Sequence, residues 1–257
     1  MPNKLVVLDP GHGGRDSGAT GNGLLEKNIT LDIAKRVAAR LAAYNVNVRL
    51  TRDNDTYISL SARANFANHL GADYFLSIHI NAGGGTGFES YIYNGPVSPE
   101  TSRFRSIIHR NIMNFLDDYG VVNRGEKTAN FAVLRETGMP AVLIENLFID
   151  TAKDAALLKD PEFINGLSEA ITGGIVWALN LTAKPTKPAP TPTPQPTPAP
   201  TGPPEKVSSW DPQGEVAKLK EAGFIVDDHP ADAPVTWGEF AAVMNRLINV
   251  LNIKNNS

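Results

Sequence analysis

KLVVLDPGHGGRDSGATGNGLLEKNITLDIAKRVAARLAAYNVNVRL, residues 4–50, sets two hydrophobic periods side by side. Residues 4–9 are a short apolar run that leads straight into a glycine-rich turn, as a first strand would. Over 28–44, Ile29, Ile33, Val37 and Leu41 recur every four residues, with Lys35, Arg36 and Arg40 between them. That spacing predicts a helix with one apolar face. Residues 46–50 then alternate apolar and polar, the period of a strand.

The same alternation continues outward. Residues 60–70 read as a helix, 73–79 and 88–93 as strands, and 102–119 as a helix closed by Gly120. Residues 141–145 read as a buried strand and 162–181 as a long terminal helix. Strands alternating with helices predict an α/β fold: a mixed, largely parallel central sheet flanked by helices on both faces. Ligands of such sheets gather at the carboxyl ends of strands.

The chemistry-bearing residues fall at those ends. The first strand runs into Asp9-Pro10-Gly11-His12-Gly13-Gly14, the 73–79 strand ends at Ser77-Ile78-His79, and the 141–145 strand ends at Glu145. Glu26 sits at the start of the first long helix. Taken singly, each has an ordinary reading. Asp9-Pro10-Gly11 could be only a turn, and Glu26 could only complement a helix dipole. Gly11, Gly13 and Gly14 suggest a phosphate loop, but the Lys-Ser/Thr of that motif is missing. Glu145 is harder to dismiss, because an unpaired carboxylate in a strand buried on both faces is costly. Together, two imidazoles and one carboxylate form a known catalytic zinc set that leaves a position for water. A further carboxylate off the metal then fits a general acid/base.

The other histidines fit this pattern less well. His69 stands late in a helix before Gly71. His109 lies among Arg103, Arg105 and Arg110 and reads as solvated. His229 lies far downstream.

With no cysteine among 257 residues, disulfides, thiolate metal sites and thiol nucleophiles are excluded. A net charge of -3 without a Lys/Arg block argues against nucleic acid and an anionic membrane surface as partners. No apolar run approaches the ~20 residues of a membrane span. The N-terminus lacks the apolar stretch of a secretory signal, so the expectation is synthesis in the cytoplasm without a signal peptide.

Residues 182–204, TAKPTKPAPTPTPQPTPAPTGPP, hold ten prolines in 23 positions. Such a segment favours extended polyproline II and spans roughly 70 Å. It predicts a domain at 1–181, a linker at 182–204 and a small helical module at 205–257. In that module Thr236 and Glu239 match a capping box.

Five stretches carry a resemblance: LDPGHGGRDSGA, LLEKNITLDIAKRVAARL, LTRDND, SLSARANFANHLGADYFLSIHINA and VLRETGMPAVLIENLFI. In order and spacing they closely resemble the zinc-dependent N-acetylmuramoyl-L-alanine amidases of the amidase-3 type, over about residues 4–181. The resemblance implies hydrolysis of the amide between N-acetylmuramic acid and L-alanine in peptidoglycan. It implies one Zn2+ on His12, Glu26 and His79, with Glu145 as the catalytic glutamate. Ile80 stands where the family often has a smaller residue. The short 95–124 segment lacks the helical insertion that plugs the site in some regulated relatives.

The module resembles a single S-layer-homology-like repeat, implying wall attachment, with self-association as the alternative. The implied role is a lytic enzyme, a phage endolysin acting on the wall after release, or else a host autolysin or mother-cell lysis amidase. A non-catalytic wall binder and a zinc peptidase acting on another amide are the competing classes. All four chemical residues argue against the first.

Overall fold

The computed structural model describes residues 3–185 together with Lys220 and Glu221. The chain divides into two units, Met1–Ala189 and Pro190–Ser257. Apart from those two residues, the expected module at 205–257, with His229 and Thr236, lies outside the described residues, as does the linker beyond residue 185.

In chain order the elements are β1 (Lys4–Pro10), β2 (Thr20–Gly21), β3 (Leu24–Leu25), α1 (Glu26–Leu41), β4 (Val46–Leu50), α2 (Leu60–His69), β5 (Tyr74–Asn81) and β6 (Phe88–Tyr93). They continue with α3 (Pro99–Leu116), β7 (Asn123–Ala129), α4 (Ala132–Arg135), β8 (Ala141–Phe148), α5 (Ala152–Lys159) and α6 (Pro161–Leu179). Six strands form one sheet in the order β4-β1-β5-β8-β6-β7. The first four are mutually parallel; β6 runs antiparallel to β8 and parallel to β7. The sheet is therefore mixed and largely parallel, as expected.

Side chains alternate across a strand, and here the alternation sorts them into two unequal layers. Val6, Leu8, Leu76, Ile78, Val142 and Ile144 face a large core built with α1, α3 and α6. Val7, Phe75, Ala141 and Leu143 face a smaller cluster with Ala67 of α2 and Val133 and Leu134 of α4. On this thinner side, further along the strands, the register places Asp9 opposite Ser77, His79 opposite Glu145, and Glu145 opposite Glu89. Two short helices thus cover one half of the face, and the half at the carboxyl ends is polar. No helix among the described residues is long and apolar enough to cross a membrane.

A buried charged network holds the loop after β1. Asp9 accepts from Arg63 Nη1 at 2.8 Å, Thr51 Oγ1 at 2.6 Å and Ser77 Oγ at 2.7 Å. Arg63 also donates to the carbonyls of Pro10 at 2.7 Å, His12 at 2.6 Å and Ile58 at 3.0 Å. Arg52 donates to the carbonyls of Pro10, Gly11, Lys27 and Asn54 at 2.8–3.0 Å. Both arginines are buried. His12 is thereby held at φ 61°, a left-handed conformation that a non-glycine residue keeps only when its surroundings enforce it.

Three differences from expectation have local causes. The domain extends past residue 181: Thr182 accepts from Asn45 N and Lys184 N donates to Ala43, tying the start of the linker to the α1–β4 turn. The expected 102–119 helix begins at Pro99, capped by the Ser98 hydroxyl, and ends in a 3₁₀ turn with Gly120 left-handed. His109 is buried rather than solvated, between Ser90 Oγ and Asn123 Oδ1 at 2.9 Å each. It lies on the apolar side of α3 one turn after Arg105, which bonds Glu126 and the Lys127 carbonyl, while Arg103 and Arg110 take the other side.

Replacing Arg63 by Met leaves the buried Asp9 carboxylate without its cation and the His12 and Ile58 carbonyls without their donor, while Pro10 O keeps Arg52. Denaturant unfolding should show a loss of about 3–5 kcal/mol, the scale for removing one partner of a buried pair. Asp32→Ala, which breaks the exposed Arg36–Asp32 pair on α1, should cost under about 0.5 kcal/mol. Equal losses for the two would remove the clamp from the account.

Candidate metal centre and active site

The loop after β1, the start of α1 and the end of β5 bring three donors together. His12 Nε2 lies 3.2 Å from Glu26 Oε1, and His79 Nδ1 lies 2.9 Å from the same oxygen. One ligand atom from each of the three residues falls within 4.8 Å of the others. Glu26 is aimed by two backbone amides, Ile80 N to Oε1 at 3.0 Å and Ala19 N to Oε2 at 2.8 Å. His12 is aimed by Asp16, whose Oδ2 sits 2.9 Å from Nδ1. A carboxylate on the far nitrogen of an imidazole is the arrangement that orients metal-ligating histidines.

The glycines make this convergence sterically possible. A Cβ on Gly11 would lie 2.3 Å from His79 Cε1, and one on Gly18 would lie 2.6 Å from Glu26 Oε2 and from His12 Cδ2. The loop must approach both rings closely, and only glycine leaves the room.

The electrostatics separate the two glutamates. Burial raises the pKa of Glu26, but the His12 and His79 imidazoles outweigh it and hold the carboxyl well below the usual range. Burial lowers His12, yet Glu26 and Asp16 bring it to about 9; His79 is raised likewise, chiefly by Glu26. Glu145 goes the other way. Burial pushes it up to about 7, the Glu26 and Glu89 charges add to this, and His79 opposes them. Among the described residues its Oε2 is a buried oxygen with no hydrogen-bond partner. It stands beside His79 on the neighbouring strand. All four residues singled out in the sequence are thus gathered at one place.

Sequence reasoning missed the groups around them. Asp16, Arg52 and Arg63 lie in loops and on α2, where spacing carries no facing information. Glu89 is buried on β6, where it accepts from Asn81 Nδ2 at 2.7 Å, Tyr91 Oη at 2.8 Å, Arg124 Nε at 2.7 Å and Lys127 Nζ. Burial opposes ionisation of Glu89, but Lys127 and Arg124 bring its pKa to about 2. An inward-facing Glu in the alternating run of residues 88–93 was the available signal. On the β1 side a cleft of about 60 Å³ opens between His12, Asp16, His79 and the rim residues Tyr57, Ile58 and Leu60.

Residues 6–176 match the N-acetylmuramoyl-L-alanine amidase family. Among curated relatives, the sporulation-specific N-acetylmuramoyl-L-alanine amidase of Bacillus subtilis is 51% identical over 180 residues, 68% of each chain. The endolysin of Bacillus phage SPP1 is 49% identical over 191 residues, 73% of this chain and 70% of its own. Among solved structures, the amidase from Clostridium difficile 630 superposes with a TM-score of 0.66 at 34% identity, covering 70% of this chain and 98% of that one. The catalytic domain of CwlV from Bacillus (Paenibacillus) polymyxa gives 0.65 at 36%, covering 70% and 99%. The matched region contains all but the first two residues of the six-stranded sheet and every residue of the site, and so the chain belongs to the N-acetylmuramoyl-L-alanine amidase family.

Proposed function

We propose that this chain is a zinc-dependent amidase that hydrolyses the bond between the lactyl group of N-acetylmuramic acid and L-alanine in peptidoglycan. The observation that carries the reading is the pairing of a converged His-Glu-His donor set with an unbonded, buried carboxylate one strand away. Family membership supports the choice of bond.

The donors fit zinc. They are two imidazole nitrogens and one carboxylate oxygen, with a carboxylate on the second nitrogen of His12 and no competing thiolate. His12, Glu26 and His79 would hold the ion, which when bound supplies Lewis-acid activation of water and of the carbonyl. The remaining work falls to the protein's own groups. Glu26, already bonded by four donors, is a poor base. Glu145, raised to about 7, is suited to take a proton on Oε2 from the attacking water and deliver it to the departing amine. The products are a free lactyl carboxylate and the amino group of L-alanine. Asp16 keeps the His12 ring turned inward, and Gly11 leaves room for that of His79.

The biological role we infer is wall lysis as an endolysin, which the SPP1 relative supports. The sporulation-specific relative supports a second reading, a mother-cell lysis amidase of the same chemistry. We further infer that the C-terminal region serves to hold the enzyme on the wall.

Metal analysis should find about one zinc per chain, and His12→Ala or His79→Ala should lose it. The Glu26 and Asp16 carboxylates favour the protonated imidazole of His12 in the metal-free protein, so metal binding should expel protons. Calorimetry in buffers of different ionisation enthalpy should therefore register at least one proton released per ion, with affinity falling as pH falls. Unchanged zinc content in His12→Ala would remove His12 from the set.

Glu145→Gln should keep its zinc while turnover on muropeptides drops roughly 10²–10⁴-fold. Zinc loss in that variant would make Glu145 a ligand and reopen the role of Glu26.

A fragment ending at residue 185 contains every proposed catalytic group and the Thr182–Lys184 contacts. It should match the full chain on soluble muropeptides and fall behind on intact walls, where tethering raises local concentration. Equal rates on walls would rule out wall attachment by the C-terminal region.

A further inference from the structure

Beyond the proton-handling carboxylate the polar row continues. His79, Glu145 and Glu89 stand side by side across β5, β8 and β6. Glu89 is one buried carboxylate facing two cations, Arg124 and Lys127, so the cluster keeps a net positive charge at the edge of the site. Arg124 is held in a particular way. Its Nε is bonded to Glu89 at 2.7 Å and its guanidinium lies over the Phe148 ring, 4.8 Å from the centroid. Its side chain is one-third exposed. Among the described residues neither terminal nitrogen has a hydrogen-bond partner. A guanidinium fixed by its Nε and an aromatic face, with its end-on fork open, is set up to receive a carboxylate through two parallel bonds.

The direction of the substrate follows from the proton. Glu145 delivers it to the leaving amine, so the amine half lies on the Glu145 side of the donor set. That side faces β6, because the strand order is β1-β5-β8-β6. The acyl half then lies toward β1, over the cleft rimmed by Tyr57 and Leu60. The peptide leaving Glu145 runs toward Glu89 and Arg124. One strand spacing is about 4.8 Å, and two extended residues reach about 7 Å. The second residue after the scissile bond therefore comes within reach of Arg124. In peptidoglycan that residue is a glutamate whose α-carboxyl is either free or amidated.

Resting on the amidase reading above, we infer that Arg124 is a specificity-determining residue that binds the free α-carboxylate of the second stem residue. Glu89 and Phe148 act as its positioning residues, and Lys127 adds charge.

The test uses the full-length zinc-loaded protein and two soluble probes, N-acetylmuramoyl-L-alanyl-D-glutamate and its α-amide. Release of the alanine amine is followed as kcat/KM. The free acid should be cleaved about tenfold or more better than the amide, the scale of a hydrogen bond to a charged group. Arg124→Gln should erase that preference, bringing the acid-to-amide ratio of kcat/KM close to one; Arg124→Lys should retain part of it. The wild-type ratio alone already tests the inference, whatever the variants' folding. Cleavage of both probes with equal efficiency overturns the inference and leaves the amidase reading intact. A preference that survives in Arg124→Gln overturns it as well. Cleavage of neither probe overturns the amidase reading, and this inference with it.

Discussion

The site depends on a buried ionic clamp beneath it. One aspartate and two arginines occupy the space under the loop after β1, and between them they satisfy the carbonyls of Pro10, Gly11 and His12. A buried ion pair contributes little net stability over an apolar filling of the same shape. What it provides here is direction. A loop with glycines at 11, 13 and 14 has many accessible conformations, and the guanidinium forks select the one in which His12 is left-handed with its ring turned inward. The same two arginines reach Lys27 O and Ile58 O, so the first turn of α1 and the approach to α2 are set against the same loop.

The unequal layers explain why the site opens where it does. Three long helices fill one face of the sheet. Among the described residues, the other face carries α2 and the single turn of α4 against the amino-terminal halves of the central strands. The half beyond those helices holds His79, Glu145 and Glu89 in register, each facing the polar side because its strand neighbours face the cores. Glu26 arrives from the opposite layer. Its helix packs in the large core, and its first residue meets the end of β5 through Ile80 N. The donor set therefore joins the two layers at the strand ends, the usual ligand position in open α/β sheets.

Two buried glutamates in one site are driven apart by what bonds to them. Glu26 receives two imidazoles and two amides, and its charged form is favoured despite burial. Burial pushes the Glu145 carboxyl up to about 7, with nothing bonded at Oε2 and two other carboxylates nearby adding to the effect. Such divergence between titratable neighbours marks distinct chemical roles. Glu89, the third carboxylate of the row, is kept ionised by its cations, and its charge helps to raise Glu145.

Periodicity in the chain determined the α/β class, the long helices, and the placement of His12, Glu26, His79 and Glu145 at strand ends or a helix start. These features are local: 3.6- and two-residue repeats are written within ten or twenty residues, and so are the turn glycines beside them. Tertiary structure alone decided the rest. The antiparallel course of β6 leaves the same alternation as a parallel edge strand. β7, NRGEKTA, carries no apolar alternation, and α4 is a single turn. Arg52 and Arg63 look like solvated residues until positions 42 and 54 residues away fold over them. His109 changes from surface to core because α3 turns that side toward Phe88. Each of these rests on contacts between residues distant in sequence, whose free energy exists only once the layers close.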